Sequence, residues 1–586
     1  MPRRTGAVHV VTTTRHYRGK VYQSHLLRRS YREGRTVRNE TVGNLSHLPP
    51  HIIDLIRRAL HHETILPADQ LEVVRSLPHG DVHAVLTAMD RLGLPRLLAP
   101  RRCPERDRIL ALIAARVVQP QTKLVTTRWW QGRTLADDLG VGAATDDDLY
   151  AAMDWLLARQ PRIEAALAAR HLTTGGLVLY DLSSSYVEGT HCPLAKRGHN
   201  RDGKRDRLQI NYGLATDGRG CPVAITVLDG IVADSTTVEP QVQRVRETFG
   251  IRDLVVVGDR GMIAHAAIEA WRAVAGIRWI TALKSVQIRT LVESGPLQLG
   301  LFDERGLCEL HHPAYPGERL VACRNPALAV ARAEKRRALL AATEAELARI
   351  QGEVGRGRVR GRAEIGVRVG RVVNTYKVAK HFTLTITDTA FTFAIREAQV
   401  TAEAQLDGLY VIRTNVPVAH LPAVDVVRHY KALSAVERAF RSWKTVDLHV
   451  RPIHHWVADR LRSHLFLCVL AYYVQWHLQE AWRPLLFADE DQAAKATRDP
   501  VAPARRPAAA DHKAATHALA DGTPVHSLCT LLADLGGIVR NTCRARGQDD
   551  APTFTVETTP TPAQRRAFDL VQQIAVSSER EEAEAP

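Results

Sequence analysis

Two short apolar runs, LVLYD (177–181) and LVVVGD (254–259), each close on an aspartate. Runs this short and this apolar suit buried β-strands, and they constrain the fold more tightly than any other feature of the chain. LQINYGLAT (208–216) and CPVAITVLDG (221–230) read as further strands, joined by the turn Asp217-Gly218-Arg219-Gly220. Residues 236–250 and 263–275 read as helices, and IRWITALK (277–284) as another strand. Three strands in succession, then strands alternating with helices, predict a mixed α/β sheet. On this reading Asp181 and Asp259 end their strands and stand at the sheet margin.

Lys and Arg outnumber Asp and Glu by 79 to 63, a net charge of +16. Such an excess says little about fold but favours a polyanionic partner. It is concentrated at the start, where residues 1–50 carry ten Lys/Arg against Glu33 and Glu40. That clustering is an electrostatic footprint for phosphates. The eight cysteines include no C-x-x-C pair, so their spacing signals neither a zinc site nor a disulfide framework. The first residues lack the apolar core of a secretory signal. The most apolar later run, LFLCVLAYYV (465–474), is too short to span a bilayer and reads as a buried helix. A cytoplasmic protein with no membrane partner is expected. Walker-type, H-E-x-x-H and G-x-S-x-G motifs do not occur.

Along the chain, residues 20–45 alternate like paired strands about the turn Arg32-Glu33-Gly34-Arg35, and the stretch from about 50 to 172 repeats apolar residues at helical spacing. Residues 288–404 break the α/β pattern with a long charged helix (329–354) and a Gly/Arg-rich run (355–362) read as solvated. Strand character returns at 406–416, helices follow to 480, and the Ala/Pro/Arg-rich stretch 498–515 reads as a linker. The predicted division is 1–172, a mostly helical N-terminal region; 173–287 and 405–485, two parts of one α/β body; 288–404, a stretch that interrupts it; and 486–586, a linker with a small C-terminal segment.

A third acid comes from 430–444. Tyr430, Glu437 and Lys444 are seven residues apart, which stacks them along one helix face, with Arg441 joining that face. Val436, Phe440 and Trp443 form the adjacent apolar stripe. Periodicity alone describes an ordinary amphipathic helix with charge pairs equally well.

This segment resembles the Tyr-(2)-Arg-(3)-Glu-(6)-Lys signature of a large group of bacterial insertion-sequence DDE transposases. DLSSSYVEG, KRGHNRDGKRDRLQINYGLATDGRGCPV and VVVGDRGM are similar to the blocks around that group's two aspartates. The N-terminal strands and TPTPAQRRAFDL (559–570) extend the likeness along nearly the whole chain. The resemblance implies a ribonuclease H-like mixed sheet interrupted by an insertion domain. It implies that Asp181, Asp259 and Glu437 are catalytic and bind Mg²⁺ or Mn²⁺, as two ions. Such ions favour oxygen ligands and serve phosphodiester cleavage and strand transfer. It further implies contact of Tyr430 and Lys444 with double-stranded DNA, both transposon ends and target, by a homodimer on paired ends in the nucleoid.

The signature's Arg position is Leu433 here. Either Arg438 or Arg441 takes over its phosphate contact, or the contact is absent. The basic segment 196–207, with Lys204 and Arg205 at its centre, reads either as a phosphate-facing loop or as a solvated hairpin. Two other functions stay open: a ribonuclease H-like nuclease without strand transfer, and an inactive DNA-binding derivative.

Overall fold

The computed structural model describes residues 6–63, 70–198, 201–204, 206–298, 302–502, 506–547 and 550–575. They form two compact units, 1–77 with 539–558, and 78–538 with 559–586. This division differs from the expected one: the first unit joins the start of the chain to a segment near its end, and 172 is not a unit boundary.

In the first unit, β1 (Ala7–Tyr17), β2 (Lys20–Glu33) and β3 (Thr36–Asn44) form an antiparallel meander. The β2–β3 turn falls where Arg32–Arg35 predicts it, with Gly34 in the left-handed region at φ +63°. Not one residue of these strands is fully buried. A helix spans Pro50–Leu60, and β4 (Leu71–Pro78) follows. This strand interrupts a stretch expected to be helical throughout; LEVV carries β-branched residues that pair in a separate three-stranded sheet.

The second unit is built on an eight-stranded sheet. Its strands are β5 (Leu177–Val187), β6 (Leu208–Thr216), β7 (Pro222–Asp229), β8 (Leu254–Val257), β9 (Ile277–Ala282), β10 (Leu307–Leu310) and β11 (Arg319–Arg324). The eighth, β14 (Leu409–Thr414), follows the hairpin of β12 (Phe382–Ile386) and β13 (Phe391–Ile395). The order is β10-β11-β14-β9-β8-β5-β6-β7. From β7 to β9 this is an antiparallel meander continued by two parallel strands, the ribonuclease H-like arrangement expected. The remaining strands, β15 (Val539–Ala545) and β16 (Phe554–Glu557), pair with each other and belong to the first unit's second sheet.

Behind the meander lie the helices Pro104–Val118, Asp146–Leu157 and Ala458–Ala481. The last contains LFLCVLAYYV and is buried from Ser463 to Leu478, as its apolar run predicts. No helix among the described residues is long and apolar enough to cross a membrane.

The insertion is less separate than expected, because β10 and β11 belong to the main sheet. Only the part beyond Arg324 leaves it: helices Pro326–Gly355 and Arg362–Tyr376 close with β12 and β13 over their own core, centred on Leu347, Ile350, Ile365, Phe382 and Phe391. The expected linker is also partly structured. Residues Ala508–Thr516 form a helix whose Lys513 is buried, its Nζ donating to the carbonyls of Arg483, Pro484 and Leu486.

Two local expectations need correction. Asp181 does not end its strand: β5 continues to Val187 because β6 pairs with it along its length, while β8 pairs only as far as Leu179. Tyr430, Glu437 and Lys444 do not share one helix. Ala423–Lys431 and Leu433–Arg441 are separated by a turn at Ala432, and Ser442–Val446 winds as a π-helical turn. The wider turn breaks the 3.6-residue register on which the common face depended.

Candidate active site

The sheet brings the two aspartates together. Asp181 lies on β5 two residues past the last pair with β8, and Asp259 lies two residues past the end of β8. The helix Leu433–Arg441 packs on β5 and supplies Glu437. Val436, Ala439 and Phe440 bury its inner face, while Tyr212 of β6 meets Phe440 and Trp443 at 5.8 and 5.1 Å between ring centroids. Gly220, at φ +90°, lets the β6–β7 turn close on this helix; a Cβ there would come within 2.7 Å of that of Ala435.

Asp181 is half-buried, whereas Asp259 and Glu437 are exposed. Burial raises the Asp181 carboxyl to about 6, and the negative charges of Asp259 and Glu437 push it the same way. The Leu182 amide and the Arg201 guanidinium oppose them. Asp259 and Glu437 both lie near enough to Asp181 for their charges to reach it.

The surrounding side chains have definite partners. Tyr430 Oη donates to Asp259 Oδ1 at 3.2 Å. Arg201 donates to the Leu182 carbonyl and pairs with Asp234, making it the guanidinium whose charge reaches Asp181. The sequence reading favoured its neighbours Lys204 and Arg205; only proximity to Asp181, set by folding, distinguishes Arg201. Arg205 lies outside the described residues. Lys204 lines a cleft of about 300 Å³ with Tyr186, Asp202, Lys444, Thr445, His449 and Arg451. There Asp202 Oδ1 receives Lys444 Nζ at 3.3 Å and Arg451 Nη1 at 2.6 Å. Arg441 and Arg438 are exposed on the last turn of their helix, and Leu433 packs, partly buried, against the main core.

Residues 175–474 match the family model of the transposase DDE domain, and residues 10–67 match that of the N-terminal domain of IS1634 family transposases. The chain belongs to the DDE transposases. No curated protein matches it.

A DDE transposase acts on DNA and uses divalent metal ions. The donor set fits such ions: three carboxylates, hard oxygen ligands, whose mutual repulsion at Asp181 a cation would relieve.

Proposed function

We propose that this transposase cleaves DNA at the ends of an insertion sequence and joins the freed 3′ ends to target DNA, with Asp181, Asp259 and Glu437 holding two Mg²⁺ or Mn²⁺ ions. The observation that carries this reading is the convergence of the three acids, from β5, the loop after β8 and the Leu433–Arg441 helix, on one charge-coupled site. Bound there, the ions would supply an activated oxygen nucleophile and neutralise charge around phosphorus. The protein's own groups have complementary tasks. Tyr430 fixes the rotamer of Asp259 through its hydroxyl. Arg201 braces the strand beside Asp181 at the Leu182 carbonyl.

Lys204, Lys444 and Arg451 line a cationic cleft suited to backbone phosphates. Arg441, exposed on its helix, stands in for the cation that Leu433 lacks. We assign the catalytic core to the eight-stranded sheet with the helix that carries Glu437, the insertion to the part between Arg324 and Leu409, and much of the end recognition to the start of the chain. There the exposed β1–β3 meander carries most of the local positive charge. The enzyme would act as a homodimer on paired ends, in the cytoplasm at the nucleoid.

The test is a reaction of purified protein with its flanking DNA ends, in Mg²⁺ or Mn²⁺ and in chelator. Metal-dependent cleavage with joined products, lost in Asp181→Ala and Glu437→Gln, is expected. Nicked products that never join would make the protein a nuclease. Salt-sensitive binding without scission would make it an inactive DNA-binding derivative.

A further inference from the structure

A second group of metal-ligating side chains lies away from the acids. One ligand atom each of His171, Cys221 and His477 falls within 4.8 Å of the others. They come from three separate places: the end of the helix Gln160–His171, the end of the β6–β7 turn just before Pro222, and the long helix Ala458–Ala481. Cys221 and His477 are buried and His171 is half-buried. Cys221 Sγ lies 3.9 Å from His477 Nε2, close to the ~3.5 Å between sulfur and nitrogen ligands across a tetrahedral zinc ion.

We propose that His171, Cys221 and His477 form a structural site for a borderline-soft divalent cation, Zn²⁺ by preference, pinning these three elements together behind the catalytic sheet. Donor chemistry separates it from the carboxylate site: thiolate and imidazole select zinc, whereas carboxylates suit Mg²⁺ or Mn²⁺. The neighbouring guanidiniums are already engaged: Arg219 is paired with Asp217 at 3.4 Å and stacked over Trp476, and Arg170 donates to the Leu92 carbonyl. The Cys221 thiol is the group that must change, releasing its proton to solvent as the metal–sulfur bond forms. Tyr473 Oη, 3.0 Å from His171 Nε2, orients that ring beside the site, and water completes the coordination.

The test uses the full-length protein, stripped with chelator and titrated with Zn²⁺ and with Co²⁺. Binding of about one equivalent of Zn²⁺ that excess Mg²⁺ does not displace is expected for a thiolate and imidazole donor set. Stoichiometric Co²⁺ should give a thiolate-to-cobalt charge-transfer band, which Co²⁺ on carboxylates cannot produce. Cys221→Ala should remove that band and weaken Zn²⁺ by more than about 100-fold, exceeding the roughly 10- to 100-fold loss caused by deleting a group that only orients a ligand. Absence of the band in the unmodified protein would overturn the proposal whether or not the variant folds. So would Zn²⁺ affinity unchanged in a folded Cys221→Ala protein.

Discussion

Tyr430 Oη donates to Asp259 Oδ1 at 3.2 Å, so a residue expected to touch DNA is tied, in the free protein, to a proposed metal ligand. Hydrogen bonds to charged groups contribute about 1.5–3 kcal/mol, equivalent to roughly 10- to 100-fold in rate where they position a reacting group. Tyr430→Phe should therefore slow cleavage by about 10-fold or more. Affinity for the DNA end, measured by fluorescence anisotropy, should stay within about twofold. A fall in affinity at unchanged single-turnover rate would return Tyr430 to a purely DNA-contacting role.

Asp202 holds Lys444 and Arg451 in the cationic cleft. Phosphate entering that cleft competes with the aspartate. Asp202→Asn should tighten DNA binding at low salt. Lys444→Ala should weaken binding evenly across sequences and lower the slope of log affinity against log salt by about one. Filter binding over a salt series measures both.

Asp181 is destabilising when ionised. Its folded pKa is raised above the ordinary value, so the cost is present above about 6 and vanishes as pH falls below the unfolded value. In chelator at pH 7.5, Asp181→Asn should raise Tm by roughly 2–6 °C while cleavage is abolished. Such an exchange of activity for stability is common where charges are gathered for function. Differential scanning fluorimetry beside the cleavage assay decides it; an unchanged or lower Tm would show that the carboxylates do not strain the apo site.

A buried basic group lies behind the sheet. Lys123 Nζ meets His464 Nδ1 at 2.8 Å, and His455 packs against His464. Burial, then the neighbouring positive charges, hold Lys123 near 7 and His455 near 3, and push His464 well down. All three folded values lie below the unfolded ones. Their contribution is whole above the unfolded pKa and is lost as pH falls towards the folded one. Tm should decline from pH 9 to pH 7 because the unfolded chain holds Lys123 protonated while the folded one keeps it neutral, and again below about 6.5 as the histidines resist protonation. A melting series in matched ionic strength measures this, and a flat profile from pH 9 to 5 would contradict it.

Much of the catalytic sheet could be read from the sequence because its strands are locally consistent. LVVV, LQINYGLAT and LYVIRT are apolar or β-branched, bounded by turn residues, and form strands where expected. The extension of β5 was hidden because Ser183, Ser184 and Ser185 resemble turn residues; β6 recruits them, and Ser185 Oγ pairs with Tyr212 Oη at 2.9 Å. The break at Ala432 lies in KALSA, which contains no helix breaker, so local propensity gave no warning. At the site, apolar runs closing on aspartate pointed to two acids and family likeness to the third, whereas Arg201 and Asp202 depend on a loop folding back on β5. His171, Cys221 and His477 share no short spacing, so cysteine arithmetic had nothing to find.

Arg324, where the chain leaves the sheet, and Leu409, where it returns, are register partners on adjacent antiparallel strands. From the sheet's side, the helices, hairpin and separate core between them amount to one oversized hairpin loop. Closing such a loop costs only about 0.6 kcal/mol more for each doubling of its length. Whole elements can be gained, trimmed or exchanged there without renegotiating the geometry of Asp181, Asp259 and Glu437, so partner choice and chemistry are free to evolve on separate clocks.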